Sequence, residues 1–185
     1  MELTFDKLAL SEPVPKVKPV LDTGAGIAVA RQKLMDFQNS YKENLDNGNL
    51  TPVPYKYTHH FSGMHPVFNC AMYGRELAMP AGAIIVGKIH KYPVFNVLLK
   101  GKLAVVSEDG QKVLEAPATY MSEAGVRRVG YVLEDCVWLN VVLTDKVGEE
   151  FVDEITDFHT TDSYNNLSID NTTFSAIAPA KNRGT

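Results

Sequence analysis

The side chains best placed to do chemistry lie in the stretch 82–101, GAIIVGKIHKYPVFNVLLKG, which carries Lys88, His90 and Tyr92. Downstream, EAGVRR at 123–128 adds Arg128, and Tyr120 shortly precedes it. A histidine can ligate a metal, pass a proton or sit hydrogen-bonded in a core. A bound transition metal needs at least three lone-pair donors converging on one point. Lys88 and Arg128 are cations at neutral pH that donate hydrogen bonds and offer no lone pair. Two such charges beside His90 repel a divalent ion and favour an anion. The expected pocket is therefore His90, Lys88, Arg128, Tyr92 and Tyr120, with no metal, no cofactor and no side chain assigned a catalytic role.

Other clusters are weaker. His59 and His60 are neighbours, so in a strand they point to opposite faces and at most one can join His90. With His65 they form HHx4H, a pattern too sparse to define a metal site. Arg75, Lys88 and Arg128 could instead meet Glu76, Glu123 or Glu134, because buried charges without a ligand need such pairing. Cys70 and Cys136 lack metal-ligand spacing and read as reduced core thiols.

The elements that must position these residues are mostly strands. Pro13, Pro15 and Pro19 make 1–22 an extended arm. Asp22 and Thr23 offer an N-cap and Asn47-Gly48 a stop, predicting a helix over 23–48. Ile27, Leu34, Phe37, Tyr41 and Leu45 form its apolar stripe, with Arg31, Lys33, Lys42, Glu43 and Asp46 on the other face. From residue 50 the period becomes two. Strands are expected at 55–61, 71–79, 83–90, 95–99, 102–107, 112–115, 128–132 and 137–143, with turns at Pro80-Ala81-Gly82 and Asp109-Gly110. Many short strands at this spacing predict an antiparallel barrel or sandwich over 50–145. A short acidic helix is expected at 146–156. A polar tail, 157–185, follows; alone it should be disordered and should add nothing to the barrel's stability.

The spacing within 82–101 resembles the first motif of the metal-binding cupins, G-x5-H-x-H-x3-E-x6-G. It falls on Gly82, Lys88, His90, Val94 and Gly101 with every interval kept. The second motif, P-x-G-x2-H, falls on Glu123, Gly125 and Arg128. Of the usual ligands only His90 is present, so the resemblance implies a cupin jelly roll with degenerate metal-binding motifs. Longer strings narrow it: THHF at 58–61, GREL at 74–77, MPAG at 79–82, VGKIHK at 86–91, EAPATYMSEAG at 115–125 and LEDCVW at 133–138. Over roughly 55–156 these look like cupin-fold, RmlC-like jelly-roll proteins of tailed bacteriophages. Metal-free cupin epimerases pair a histidine base with a tyrosine acid across the barrel, which His90 with Tyr73, Tyr92 or Tyr120 could imitate.

Composition limits the remaining classes. At 185 residues and 45% hydrophobic, the chain is sized for one domain with extensions. A net charge of −4, with its basic residues scattered, argues against nucleic acid. No apolar run reaches the roughly 20 residues of a membrane span, and MELTFDKLAL is unlike a secretory signal. The resulting expectation is a mainly β protein: a single cupin barrel with an N-terminal amphipathic helix, a short helix after the barrel and extended terminal arms. Its expected role is non-enzymatic, as a structural or assembly protein of a bacteriophage particle (tail, head–tail connector or decoration). It would be made in the host cytoplasm, self-associate and join other virion proteins. The alternative is a metal-free cupin enzyme, or a module binding a small molecule or carbohydrate through the His90 pocket.

Overall fold

A computed structural model of the chain describes residues 24–167, and the expected arm over 1–22 and the end of the tail lie outside them. The chain divides into two units, Met1–Thr51 and Pro52–Thr185. In the first, helix α1 runs over Gly24–Asp46. It ends where Gly48 turns to φ 71° and its N–H bonds the Leu45 carbonyl at 3.0 Å, a left-handed stop that suits glycine. Phe37 and Tyr41, one turn apart, stack at 6.1 Å.

The second unit is built from β1 (Lys56–Phe61), β2 (Ala71–Met79), β3 (Ile84–Val86), β4 (Ile89–His90), β5 (Val94–Ser107), β6 (Gly110–Glu115), β7 (Ala118–Ser122) and β8 (Arg128–Thr144). Helix α2 (Val152–His159) and the short β9 (Thr160–Thr161) complete it. All pairings are antiparallel. The main sheet runs β1-β2-β8-β5-β6, with β3 added to β8 and β7 to β5. Strands β5 and β8 are long enough to serve both halves of the barrel. The start of β5 pairs with β7 and its end with β6, while the end of β8 pairs with β2 and its start with β3.

The bend between the halves falls at Gly101. There the β5–β8 register slips three times between Leu98 and Leu103, and Gly101 takes φ 85°. A Cβ at this position would overlap the Asp135 carbonyl, so only glycine lets the two strands cross so closely. The pairs expected at 95–99 with 102–107, and at 128–132 with 137–143, are therefore single strands bent in the middle. The run 83–90 behaves oppositely and breaks at Gly87, whose N–H bonds the Arg128 carbonyl at 2.9 Å. Strand β7 was not among the expected elements; Pro117 immediately before it reads as a breaker.

Alternation then fills the barrel. Leu77, Met79, Leu98, Leu103, Val105, Val132, Cys136 and Trp138 point inward and form one buried cluster. Each fully buried aliphatic side chain contributes about 1.5–3 kcal/mol. Helix α2 begins later than the expected 146–156. Gly148 at φ 134° blocks helix before it, a 3-10 turn occupies Glu149–Phe151, and the α-helix continues to His159 with Ile155 and His159 buried. The first residues past α2 also pack. Thr161 and Thr160 pair with Ile89 and His90, and fully buried Arg127 donates to the Asp162 carbonyl at 2.8 Å. That part of the polar tail is a strap on the strand that carries His90. Among the described residues no helix is long and apolar enough to cross a membrane.

Candidate functional site

Register brings four polar residues of four different strands into one row. Arg75 of β2 stands opposite Asn140 of β8, Asn140 opposite Asn96 of β5, and Asn96 opposite Tyr120 of β7. The next row inward along the strands, Leu77, Trp138, Leu98 and Ala118, is apolar throughout. The polar row faces a cavity of about 320 Å³. His90, Lys88 and Arg128 line the same cavity, with Tyr57 and Trp138 among its aromatic walls.

The row is internally braced. Asn140 Nδ2 donates to Asn96 Oδ1 at 2.6 Å, and Asn96 Nδ2 donates to Ser122 Oγ at 2.8 Å. Ser122 Oγ also accepts from Arg128 Nη1 at 2.7 Å, which fixes that guanidinium from behind. Asn96 is only 3% exposed, so its amide must be fully bonded to be tolerated there. The bonded pair at its centre, Asn96 and Ser122, is buried and holds its neighbours in place.

The cations of the cavity are unevenly compensated. Lys88 Nζ lies 3.6 Å from an Asp157 carboxylate at the surface. Arg75 stacks over the Tyr57 ring at 5.7 Å and Arg128 over the Tyr120 ring at 5.4 Å. Among the described residues neither arginine has an ion-pair partner, and no Asp or Glu lines the cavity. The salt-bridge network anticipated from the sequence does not form: Glu76 bonds His60 at 3.2 Å instead. A half-buried arginine that faces a cavity without a carboxylate is suited to bind an anion.

Burial pushes the His90 imidazole down from 6.5 to about 4, with Arg75, Arg128 and His159 adding to the effect. It is therefore neutral near pH 7, and its buried Nδ1 has no hydrogen-bond partner among the described residues. Burial also raises Tyr120 to about 12 against the opposing pull of Arg128, so its phenol keeps its proton. That hydroxyl too is buried and, among the described residues, without a partner. The cavity thus offers a free base, a proton donor and two uncompensated guanidinium groups.

Of the sequence-derived pocket, His90, Lys88, Arg128 and Tyr120 converge on this cavity. Tyr92 does not: it is buried against α2, stacked on Phe158 at 5.4 Å and edge-on to His159 at 5.7 Å. The chain turns just after β4, which sends Tyr92 away from the direction of His90. His59 bonds the Tyr73 hydroxyl at 2.8 Å, and His65 Nδ1 accepts backbone N–H groups of its own turn. Arg75, Asn96, Asn140 and Ser122 were not expected in the site. Asn96 carried a usable signal, because it interrupts the inward apolar positions Val94 and Leu98 with a polar side chain.

The residues present do not fit the metal of the cupin motif. Val94 is fully buried among apolar atoms, Lys88 is drawn to Asp157, and Arg128 is tied to Ser122. Among the described residues no three His, Cys, Asp or Glu side chains come together as a ligand set.

Solved structures resemble the chain at the level of fold. A cupin superfamily protein from Desulfitobacterium hafniense is 10% identical with a TM-score of 0.42, over 52% of this chain and 83% of its own. KdgF from a Halomonas species is 10% identical with a TM-score of 0.38, over 53% of this chain and 91% of its own. An acetylacetone dioxygenase from Acinetobacter johnsonii is 20% identical with a TM-score of 0.36, over 52% and 68%. No protein-family model matches the sequence, and no curated protein matches it. The architecture itself is mainly β, antiparallel strands with a helix before them and a short helix after, as the sequence led us to expect. The expectation of a non-enzymatic chain does not stand. Enzymes by name are among the structures it resembles, that dioxygenase and an oxalate decarboxylase. These likenesses concern the barrel and bear on neither a bacteriophage origin nor a place in a virion.

Proposed function

We propose that the barrel binds a small organic anion and moves a proton on it without help from a bound metal. The observation that carries this reading is the pairing of two guanidinium groups lacking carboxylate partners with a neutral histidine and an un-ionised tyrosine in one cavity. The anion is held by charge-assisted hydrogen bonds from Arg75 and Arg128. His90 accepts a proton from a carbon next to a carbonyl, the electron pair moves onto the carbonyl oxygen, and Tyr120 with Arg128 stabilises that oxygen. An anion there offsets the part of the His90 shift that Arg75 and Arg128 cause, while burial, its largest cause, remains.

The test is hydrogen exchange on 2-oxo acids carrying one or two carboxylates, followed by NMR in D₂O. The expected result is loss of the proton signal beside the carbonyl faster with protein than without, abolished by His90→Gln. If ligand-observed NMR shows the acids bound but their protons exchange at the buffer rate, the barrel is a binding module. If none of them binds, the reading fails altogether.

A further inference from the structure

The two unpaired arginines differ in where their heads sit, and this bears on the shape of the anion. Arg75 rises from β2 and lies over Tyr57 of β1, at one end of the strand row. Arg128 is held by Ser122 of β7 and lies over Tyr120, also of β7, at the other end. Between the backbones of β2 and β7 stand β8 and β5, which amounts to three strand spacings, about 14 Å along the curved sheet. The interval is spanned by Asn140 and Asn96, neutral amides already bonded to each other.

Charge points the same way. Lys88 has Asp157 beside it, and His90 is uncharged near neutral pH. The described lining is left with two positive charges at separate points and no negative one. A single phosphate group would concentrate two charges against one arginine and leave the other exposed to the cavity. Two carboxylates joined by a short chain would meet both, each in the planar two-point geometry that guanidinium favours. The space, about 320 Å³, holds on the order of ten water-sized groups, which suits a small diacid and leaves Trp138 and Leu77 to cover its carbon chain.

We infer that the ligand of this cavity is a small dicarboxylate, one carboxylate held by Arg75 and the other by Arg128. This rests on the anion-binding reading above and narrows it.

Calorimetric titration of the full chain in phosphate-free buffer at pH 7.5 tests it. The probes are malonate, succinate, glutarate and adipate, the monocarboxylate of matching length for each, inorganic phosphate and glucose 6-phosphate. One chain length should bind best, more than about tenfold tighter than its monocarboxylate. Arg75→Gln and Arg128→Gln should each reduce that affinity by about tenfold or more, to the level of the monocarboxylate. Arg75→Lys keeps the charge but not the two-point geometry and should recover only part of the loss. If mono- and dicarboxylates bind alike, or a phosphate binds more tightly, the dicarboxylate assignment is wrong while anion binding stands. If no probe of any kind binds, the anion-binding reading falls with it. The wild-type series alone decides between these results, whatever the arginine variants do to folding.

Discussion

Protonation of His90 in the folded barrel should be costly, and that cost can be measured without knowing any ligand. In the unfolded chain the imidazole titrates near 6.5; in the barrel, burial and the neighbouring arginines bring it to about 4. Between these values the unfolded state holds a proton that the folded state refuses. Stability is therefore fully present above pH 6.5 and falls as the pH drops towards 4. Below 4 the native state protonates as well and this group contributes no further change. A displacement of this size corresponds to about 3 kcal/mol, a large share of the 5–15 kcal/mol typical of a domain.

Urea unfolding at intervals from pH 7.5 to pH 4, on wild type and His90→Gln, isolates the term. Titrating groups remote from His90 appear in both proteins and cancel in the difference. His159 acts on His90 and is itself depressed by burial, so it does not cancel, and the pair of curves is repeated in a His159→Gln background. The difference between the two stability curves should be flat above pH 7 and should narrow or widen only between 6.5 and 4, with wild type losing the additional 3 kcal/mol or so. Parallel curves across the whole range would show that His90 is solvated or paired in solution. The account of a neutral base in a dry cavity would then be wrong.

Four further outcomes follow from the same geometry. Tyr120→Phe should keep ligand affinity within about threefold while slowing proton exchange by about a hundredfold, read by NMR in D₂O, since it removes the acid and leaves both arginines. Gly101→Ala should destabilise by about 3 kcal/mol or more in urea unfolding, because φ 85° and the Asp135 carbonyl both exclude a side chain. A chain ending at His159 should be less stable than one ending at Leu167 by about 2–4 kcal/mol, since removing the strap uncovers Ile89 and Arg127, both fully buried. The chain should pair with a second copy through the outer face of the sheet, where Met72, Leu143, Phe95 and Met121 are 54, 45, 42 and 54% exposed on neighbouring strands. Light scattering at micromolar concentration that finds only the 20.4 kDa monomer would refute this last expectation.

Much of the barrel was legible because alternation is a local signal. The expected strand 71–79 matches β2 residue for residue, since each of its inward positions is apolar or becomes part of the site. What alternation cannot show is where two runs are one strand bent at a glycine, and this is why β5 and β8 read as four pieces. The site was half legible for a related reason. Motif spacing located His90, Lys88 and Arg128, which lie at fixed intervals on one stretch or beside one turn. Arg75, Asn140 and Asn96 meet only through strand register, and register depends on which strands pair. Tyr92 failed for the opposite reason: proximity in sequence to His90 says nothing of direction once the strand has ended.

The positions that the motif resemblance aligns with metal ligands carry side chains of the opposite chemistry. A ligand set for a divalent ion concentrates lone pairs and negative charge at a point. Here two of those positions are cationic and a third, Val94, belongs to the apolar core. What this chain adds is Arg75, from a strand outside both motifs, together with amides and a serine that hold the polar row without consuming either guanidinium's charge. Arg75 and Arg128 are half-buried, and among the described residues neither has a carboxylate partner. On the reading proposed above, these two cations are the complement of a negatively charged ligand, and the neutral histidine beside them is the base that acts on it.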